Sequence, residues 1–195
     1  MTKRRILGKV VMIICVLLLI CACDTEYTPK RKGYNRLDLP THEYQGLPDT
    51  LPYYFEYSKH AQLLRDTSYI SDKNWIEIYY PKLLANIHIT YVSLDDTDLK
   101  ELIEDAYFLT SKHQIKATAI SDNILITRSG KTVSIAELEG DVPSQFQFYT
   151  TDSVRHFFRG ALYFNTKVQN DSLAPAIEYV KLDVMNLLNT LNWRE

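Results

Sequence analysis

Cysteine, glycine and recognisable ligand spacings are scarce in this 195-residue chain, and each scarcity excludes a class of chemistry. Of three cysteines, Cys15 and Cys21 lie within the one long apolar stretch near the N-terminus, so Cys23 is the only thiol expected in the mature chain and no intramolecular disulfide is available. Six scattered glycines form no phosphate-cradling loop. The histidines are His42, His60, His88, His113 and His156; they offer neither a His-Glu-x-x-His pair nor Cys/His pairing, so spacing predicts no metal centre and no cofactor. His88 is the strongest of the five, because it stands mid-strand between Asn86 and Thr90 on the less apolar face. A Gly-x-Ser-x-Gly elbow is missing, and Asp152, Ser153 and His156 stand too close in sequence for triad geometry. Asp152 and Ser153 read instead as turn residues that bond backbone groups, no catalytic residue is assigned, and a non-enzyme is expected.

Excess positive charge is also lacking. Against 24 acidic residues there are 22 basic ones, four of which (Lys3, Arg4, Arg5 and Lys9) precede the apolar run. Removal of residues 1–22 leaves 18 basic residues and a net charge of −6. A chain of that balance without a Lys/Arg-dense face is not a nucleic-acid binder.

Long hydrophobic runs are limited to that same N-terminal stretch. Val10 to Cys23 is shorter than the roughly 20 apolar residues that span a bilayer, and Asp24 and Glu26 close it. Basic residues, an apolar run and then Ala22-Cys23 read as a lipoprotein signal peptide over 1–22, removed before a lipid-modified Cys23. Small Ala22 precedes Cys23, whereas bulky Ile20 precedes Cys21, which selects Cys23 as the acylated thiol. One acyl chain binds a membrane only marginally, so stable anchoring rests on several chains of the palmitate kind. The expected location is the cell envelope, with the body facing the periplasm from a lipid anchor.

Residues 23–52 contain Pro29, Pro40, Pro48 and Pro52 and no sustained apolar period, so they are expected to form a tether or arm. Tyr27, Tyr34, Leu37, Leu39 and Tyr44 predict that part of it packs on the body. Residues 53–195 are expected to form a single α+β domain, large enough to fold without a bridge. Strands are predicted at Tyr53–Tyr57, Trp75–Tyr80 and Ala85–Ser93, then at 115–120, 124–127 and 132–138 with a turn at Ser121-Asp122-Asn123. A hairpin follows, 145–150 and 158–165 around Thr151-Asp152-Ser153. Two helices carry amphipathic stripes. The first has acidic residues crowding its start, Lys112 and His113 at its end, and Leu99, Leu102, Ile103, Ala106 and Leu109 on one side. Its acidic residues lack the loop glycine and ligand spacing of an EF-hand. The second runs from about Leu173 to Leu191, with Asp171 or Ser172 as cap, Pro175 in its first turn, and Ile177, Val180, Val184, Leu187, Leu188 and Leu191 inward. This order predicts an antiparallel sheet covered by two long amphipathic helices, in the manner of PsbP/Mog1-like domains.

Arg155, His156, Arg159 and Tyr163 stand among aromatics in the hairpin, and Arg and Tyr are the residue types that carry interface energy. They are the candidate partner interface. The plainer reading is a core hairpin in which Arg159, Ala161 and Tyr163 face away from Phe158, Gly160 and Leu162.

Six ordered stretches give the chain a resemblance: YTPKRKGYNRLDLP (27–40), LPYYFEYSKHA (51–61), WIEIYYPKLLANIHITY (75–91), HQIKATAI (113–120), TDSVRHFFRGALYFN (151–165) and NDSLAPAIEYVKLDV (170–184). Together they resemble the gliding-motility lipoprotein GldD family over nearly the whole mature chain. The resemblance implies a role in the surface-motility apparatus linked to type IX secretion, with other gliding-motility or secretion-machinery proteins as partners. It supplies no active-site residues. A periplasmic carrier of small ligands or lipids is the alternative class, motivated by the helix-on-sheet plan and the aromatic content; an enclosed apolar cavity would favour it.

Overall fold

The computed structural model describes residues 37–66, 72–95, 97–113, 115–165 and 170–194. The expected leader, Cys23 and the first part of the arm lie outside these residues. The described residues all belong to one compact unit, Gly33–Glu195.

Among the described residues, eleven strands and two helices make up this body. In chain order they are β1 (Tyr44–Gly46), β2 (Tyr53–Tyr54), β3 (Glu56–Ser58), β4 (Gln62–Arg65), β5 (Ile76–Tyr80), β6 (Ala85–Ser93), α1 (Leu99–Ser111), β7 (Ala117–Ile126), β8 (Thr132–Gly140), β9 (Ser144–Thr151), β10 (His156–Phe164), α2 (Asn170–Thr190) and β11 (Asn192–Trp193). Seven strands form the main sheet in the order β4-β5-β6-β10-β9-β8-β7, every pair antiparallel. Two small ribbons, β1-β3 and β11-β2, complete the fold.

Period-2 alternation sorts the sheet into two faces. Ile76 and Ile78 of β5 pair with Ile89 and Ile87 of β6, and Gly160 and Leu162 of β10 pair with the same two isoleucines from the other side. This inner face continues through Phe158, Phe146 and Phe148, and meets Val180, Val184, Leu187, Leu188 and Leu191 of α2 in one core. Tyr53 and Phe55, both fully buried, place their rings 5.1 and 5.9 Å from that of Phe158. Burial of each such aliphatic or aromatic side chain contributes about 1.5–3 kcal/mol. The stretch 37–52, assigned to the arm from sequence, supplies β1 and two core side chains, Leu47 and Leu51.

Four expectations change. Ser121-Asp122-Asn123 is no turn: it runs through the middle of β7, opposite Glu137, Ala136 and Ile135. β7 is an edge strand with one neighbour, so polar turn-forming residues sit there at little cost and blunt the edge. Tyr53–Tyr57 is split at Phe55, because β2 pairs with β11 while β3 pairs with β1. α2 begins at Asn170, so Pro175 lies inside it rather than in the first turn. Three consecutive residues, Asn170, Asp171 and Ser172, all suit a helix start, and composition does not choose among them. Finally, the two helices are unequal covers. α1 has 13 residues against 21 in α2, and among its residues only Ala106 is buried, while Leu109 is 38% exposed. α1 therefore shields a patch of the outer face near β10.

Gly140 holds a position that needs glycine. Its φ is +98°, and a Cβ there would come within 2.8 Å of the Lys116 carbonyl oxygen and the Thr118 nitrogen, at the bulge where β7 begins to pair with β8.

Candidate functional site

The β9–β10 hairpin places the expected interface residues, and the turn that joins it is organised by one carboxylate. Asp152 Oδ1 accepts hydrogen bonds from the backbone N–H groups of Val154, Arg155 and His156 at 3.0, 2.9 and 2.9 Å. Burial pushes the Asp152 carboxyl up, but these three donors and the nearby His156 outweigh it and hold the group below the usual carboxylate range. Ser153 sits at φ +62°, the left-handed geometry that closes the turn.

The four residues do not converge into one patch. Arg155 is exposed at the turn. His156 points to the inner face: its ring stacks on Trp193 at 4.8 Å between centroids, and its Nδ1 is 2.8 Å from the Tyr91 hydroxyl. With the ring proton on Nε2, Tyr91 donates to Nδ1. Burial lowers the His156 pKa, Arg155 adds to this, and the carboxylates of Asp152 and Asp95 oppose it. Arg159 and Tyr163 lie on the opposite face, as alternation requires. Arg159 is not free there, because Nη2 donates to Gln147 Oε1 at 2.7 Å and the same oxygen accepts from Thr110 of α1 at 3.2 Å. Arg159 thus joins β10, β9 and α1, and the cleft it lines with Thr110 and Tyr149 holds about 20 Å³, room for a water molecule. Two physical facts separate the set: neighbouring positions of a strand face opposite ways, and α1 covers Arg159.

Tyr163 belongs to another grouping on the outer face. Its ring meets His88 edge-on at 5.3 Å, and Nδ1 of His88 lies 3.4 Å from Oε1 of Glu77. Asp66 completes a set of three groups able to hold a metal ion.

A second polar centre went unseen in the sequence. Asp183 on α2 is 2% exposed. Its Oδ1 is 2.6 Å from His42 Nδ1, and its Oδ2 accepts from the Tyr80 hydroxyl at 3.0 Å. The His42 ring stacks at 4.3 Å on Tyr179 and at 6.3 Å on Tyr44. Burial, then the charge of Asp183, pushes the Tyr44 hydroxyl up to about 12. A signal for this site existed: Asp183 is three residues after Val180 and four before Leu187, so it shares their inward stripe. This network ties the N-terminal segment to the last helix.

Among the described residues, no helix is long and apolar enough to cross a membrane. No curated protein matches the chain. The solution structure of cyanobacterial PsbP (CyanoP) from Synechocystis sp. PCC 6803 is similar, with 10% sequence identity, a TM-score of 0.46, and coverage of 82% of this chain and 97% of that one. The family described as gliding motility lipoprotein GldD matches residues 24–193, most of the 195-residue chain, and this protein belongs to that family.

Proposed function

We propose that this protein is a lipid-anchored, non-enzymatic component of the gliding-motility apparatus and its associated type IX secretion machinery. Family membership over residues 24–193 carries the reading. The matched segment starts one residue after Cys23, the thiol that we propose is acylated once the leader 1–22 is removed. The lipid holds the chain on a membrane of the envelope, and the body of seven-stranded sheet and α2 faces the periplasm as an assembly or stabilising element.

The side chains most suggestive of catalysis have structural work to do, which supports this class. Asp152 caps a turn, His156 lies between Tyr91 and Trp193, and His42 fastens the N-terminal segment to Asp183. A carrier needs an enclosed apolar chamber, yet the space between sheet and α2 is filled by Tyr53, Phe55, Phe146, Phe158 and the α2 leucines. The PsbP/Mog1-like description of the fold and a partner surface that uses Arg155 remain parts of the proposal.

Gene deletion with complementation tests it. The expected result is loss of gliding and of type IX export, both restored by the wild-type gene and neither by a Cys23→Ser copy. Normal gliding and normal export in the deletion strain would overturn the proposal.

A further inference from the structure

The outer face of the sheet brings together three residues that are far apart in sequence. Asp66 directly follows β4, Glu77 lies in β5 and His88 in β6, so three adjacent strands each contribute one group. The register sets Glu77 directly opposite His88. The Asp66 N–H donates to the Trp75 carbonyl at 3.3 Å, which fixes Asp66 one step along the same face. One ligand atom from each residue lies within 4.8 Å of the others.

Distance and charge both suit a metal ion. His88 Nδ1 and Glu77 Oε1 are 3.4 Å apart. The edge of a tetrahedron with metal–ligand bonds of 2.0–2.1 Å is about 3.3 Å. Two carboxylates balance a divalent charge, and an imidazole nitrogen directs the choice toward transition metals and away from calcium and magnesium, which take oxygen.

Asn86 orients one of the ligands. It lies two residues before His88 on the same face and is 8% exposed. Its Nδ2 donates to Glu77 Oε2 at 2.8 Å, which leaves Oε1, the oxygen nearer His88, as the ligand atom. Such a hydrogen bond to a ligating carboxylate fixes its orientation.

We infer that Asp66, Glu77 and His88 bind one divalent transition-metal ion of the zinc type that ties β4, β5 and β6 together. The side chains of His88 and Glu77 are 41% and 21% exposed, which leaves a path for the ion to enter. Because the residues come from three strands at positions set by register, no local spacing announces them.

The experiment uses the full mature lipoprotein in detergent, stripped with chelator and titrated with ZnCl2 by calorimetry, with thermal unfolding measured in parallel. One equivalent of zinc should bind, and at a hundredfold excess over Kd the Tm should rise by roughly 5–10 °C. His88→Gln should abolish uptake, and Asp66→Asn, at the end of its strand, should weaken it at least about tenfold with the fold intact by circular dichroism. His60→Gln should leave uptake unchanged. Absence of saturable binding, binding that His88→Gln does not alter, or equal competition by MgCl2 would overturn the site and leave a plain histidine–carboxylate contact.

Discussion

His42 Nδ1 and Asp183 Oδ1 lie 2.6 Å apart across a sequence separation of 141 residues. The carboxylate is almost wholly shielded while the imidazole keeps 31% of its side-chain surface exposed, so Asp183 bears the cost of desolvation and His42, Tyr80 and Tyr44 offset it. Replacement of Asp183 by Ala strips several partners of their acceptor at once and should cost about 2–4 kcal/mol. Urea unfolding of the variant would measure this, and a loss below roughly 1 kcal/mol would show that the contact holds nothing in place. His42→Ala should in addition make the segment before β1 more sensitive to protease.

Acidification acts through His156. Its folded pKa is lowered, chiefly by burial, so between the ordinary histidine value and that lower value the unfolded chain binds more protons. Stability is therefore full above about pH 6.5 and declines as pH falls through the window beneath it. His113 is shifted in the same direction, by burial and by Arg159, and contributes with the same sign. Comparison of Tm from pH 7.5 down to 5 should show a shallower slope in His156→Phe, not a flat one. An unchanged slope would exclude His156 as a contributor.

Asp152 predicts a second acid-dependent step, at lower pH. Its carboxyl is held below the ordinary aspartate value despite burial, because three backbone donors converge on it, so its contribution is present above the unfolded pKa and lost as pH falls through the folded one. Asp152→Ala should destabilise by about 1–3 kcal/mol at neutral pH. Asp152→Asn keeps an acceptor oxygen and should retain part of that while losing the acid step. Equal stability of wild type and Asp152→Ala in guanidinium would contradict the capping role.

Gly160 is predicted to be intolerant of any side chain. It pairs with Phe148 across β9–β10, and an added Cβ would stand 2.2 Å from the ring Cζ and 2.5 Å from Cε1 of that buried phenylalanine. Gly160→Ala should cost roughly 1–3 kcal/mol by overpacking. The double variant Gly160→Ala with Phe148→Leu should be less destabilised than the two single losses added together. Strict additivity in thermal unfolding would mean that ring and glycine are not coupled.

Where the sequence spoke clearly, it did so through neighbours in the chain. Ala85–Ser93 emerges with the predicted ends because alternation between Ile87, Ile89, Tyr91 and Asn86, His88, Thr90 is a local pattern. The inward stripe of α2 is legible for the same reason. The break at Phe55 is not, since β2 and β3 differ in their distant partners and hardly in composition. Nor is the strand through Ser121-Asp122-Asn123, where tertiary position at an edge overrides turn propensity. The candidate interface divides for a related reason. Alternation already put Arg159 and Tyr163 on one face, but the stacking of His156 on Trp193 and the cover of α1 over Arg159 depend on segments tens of residues away.

Composition and local periodicity were enough to specify an α+β chain and to raise the expectation of an acylated Cys23, because charge, cysteine placement and hydrophobic period are properties of a residue and its near neighbours. The pairing of His42 with Asp183, the dispersal of the four hairpin residues, and the approach of Asp66, Glu77 and His88 arose from packing alone. Strand register is set by contacts between segments distant in sequence, and a shift of one residue turns every side chain to the other face, so no local pattern contains it.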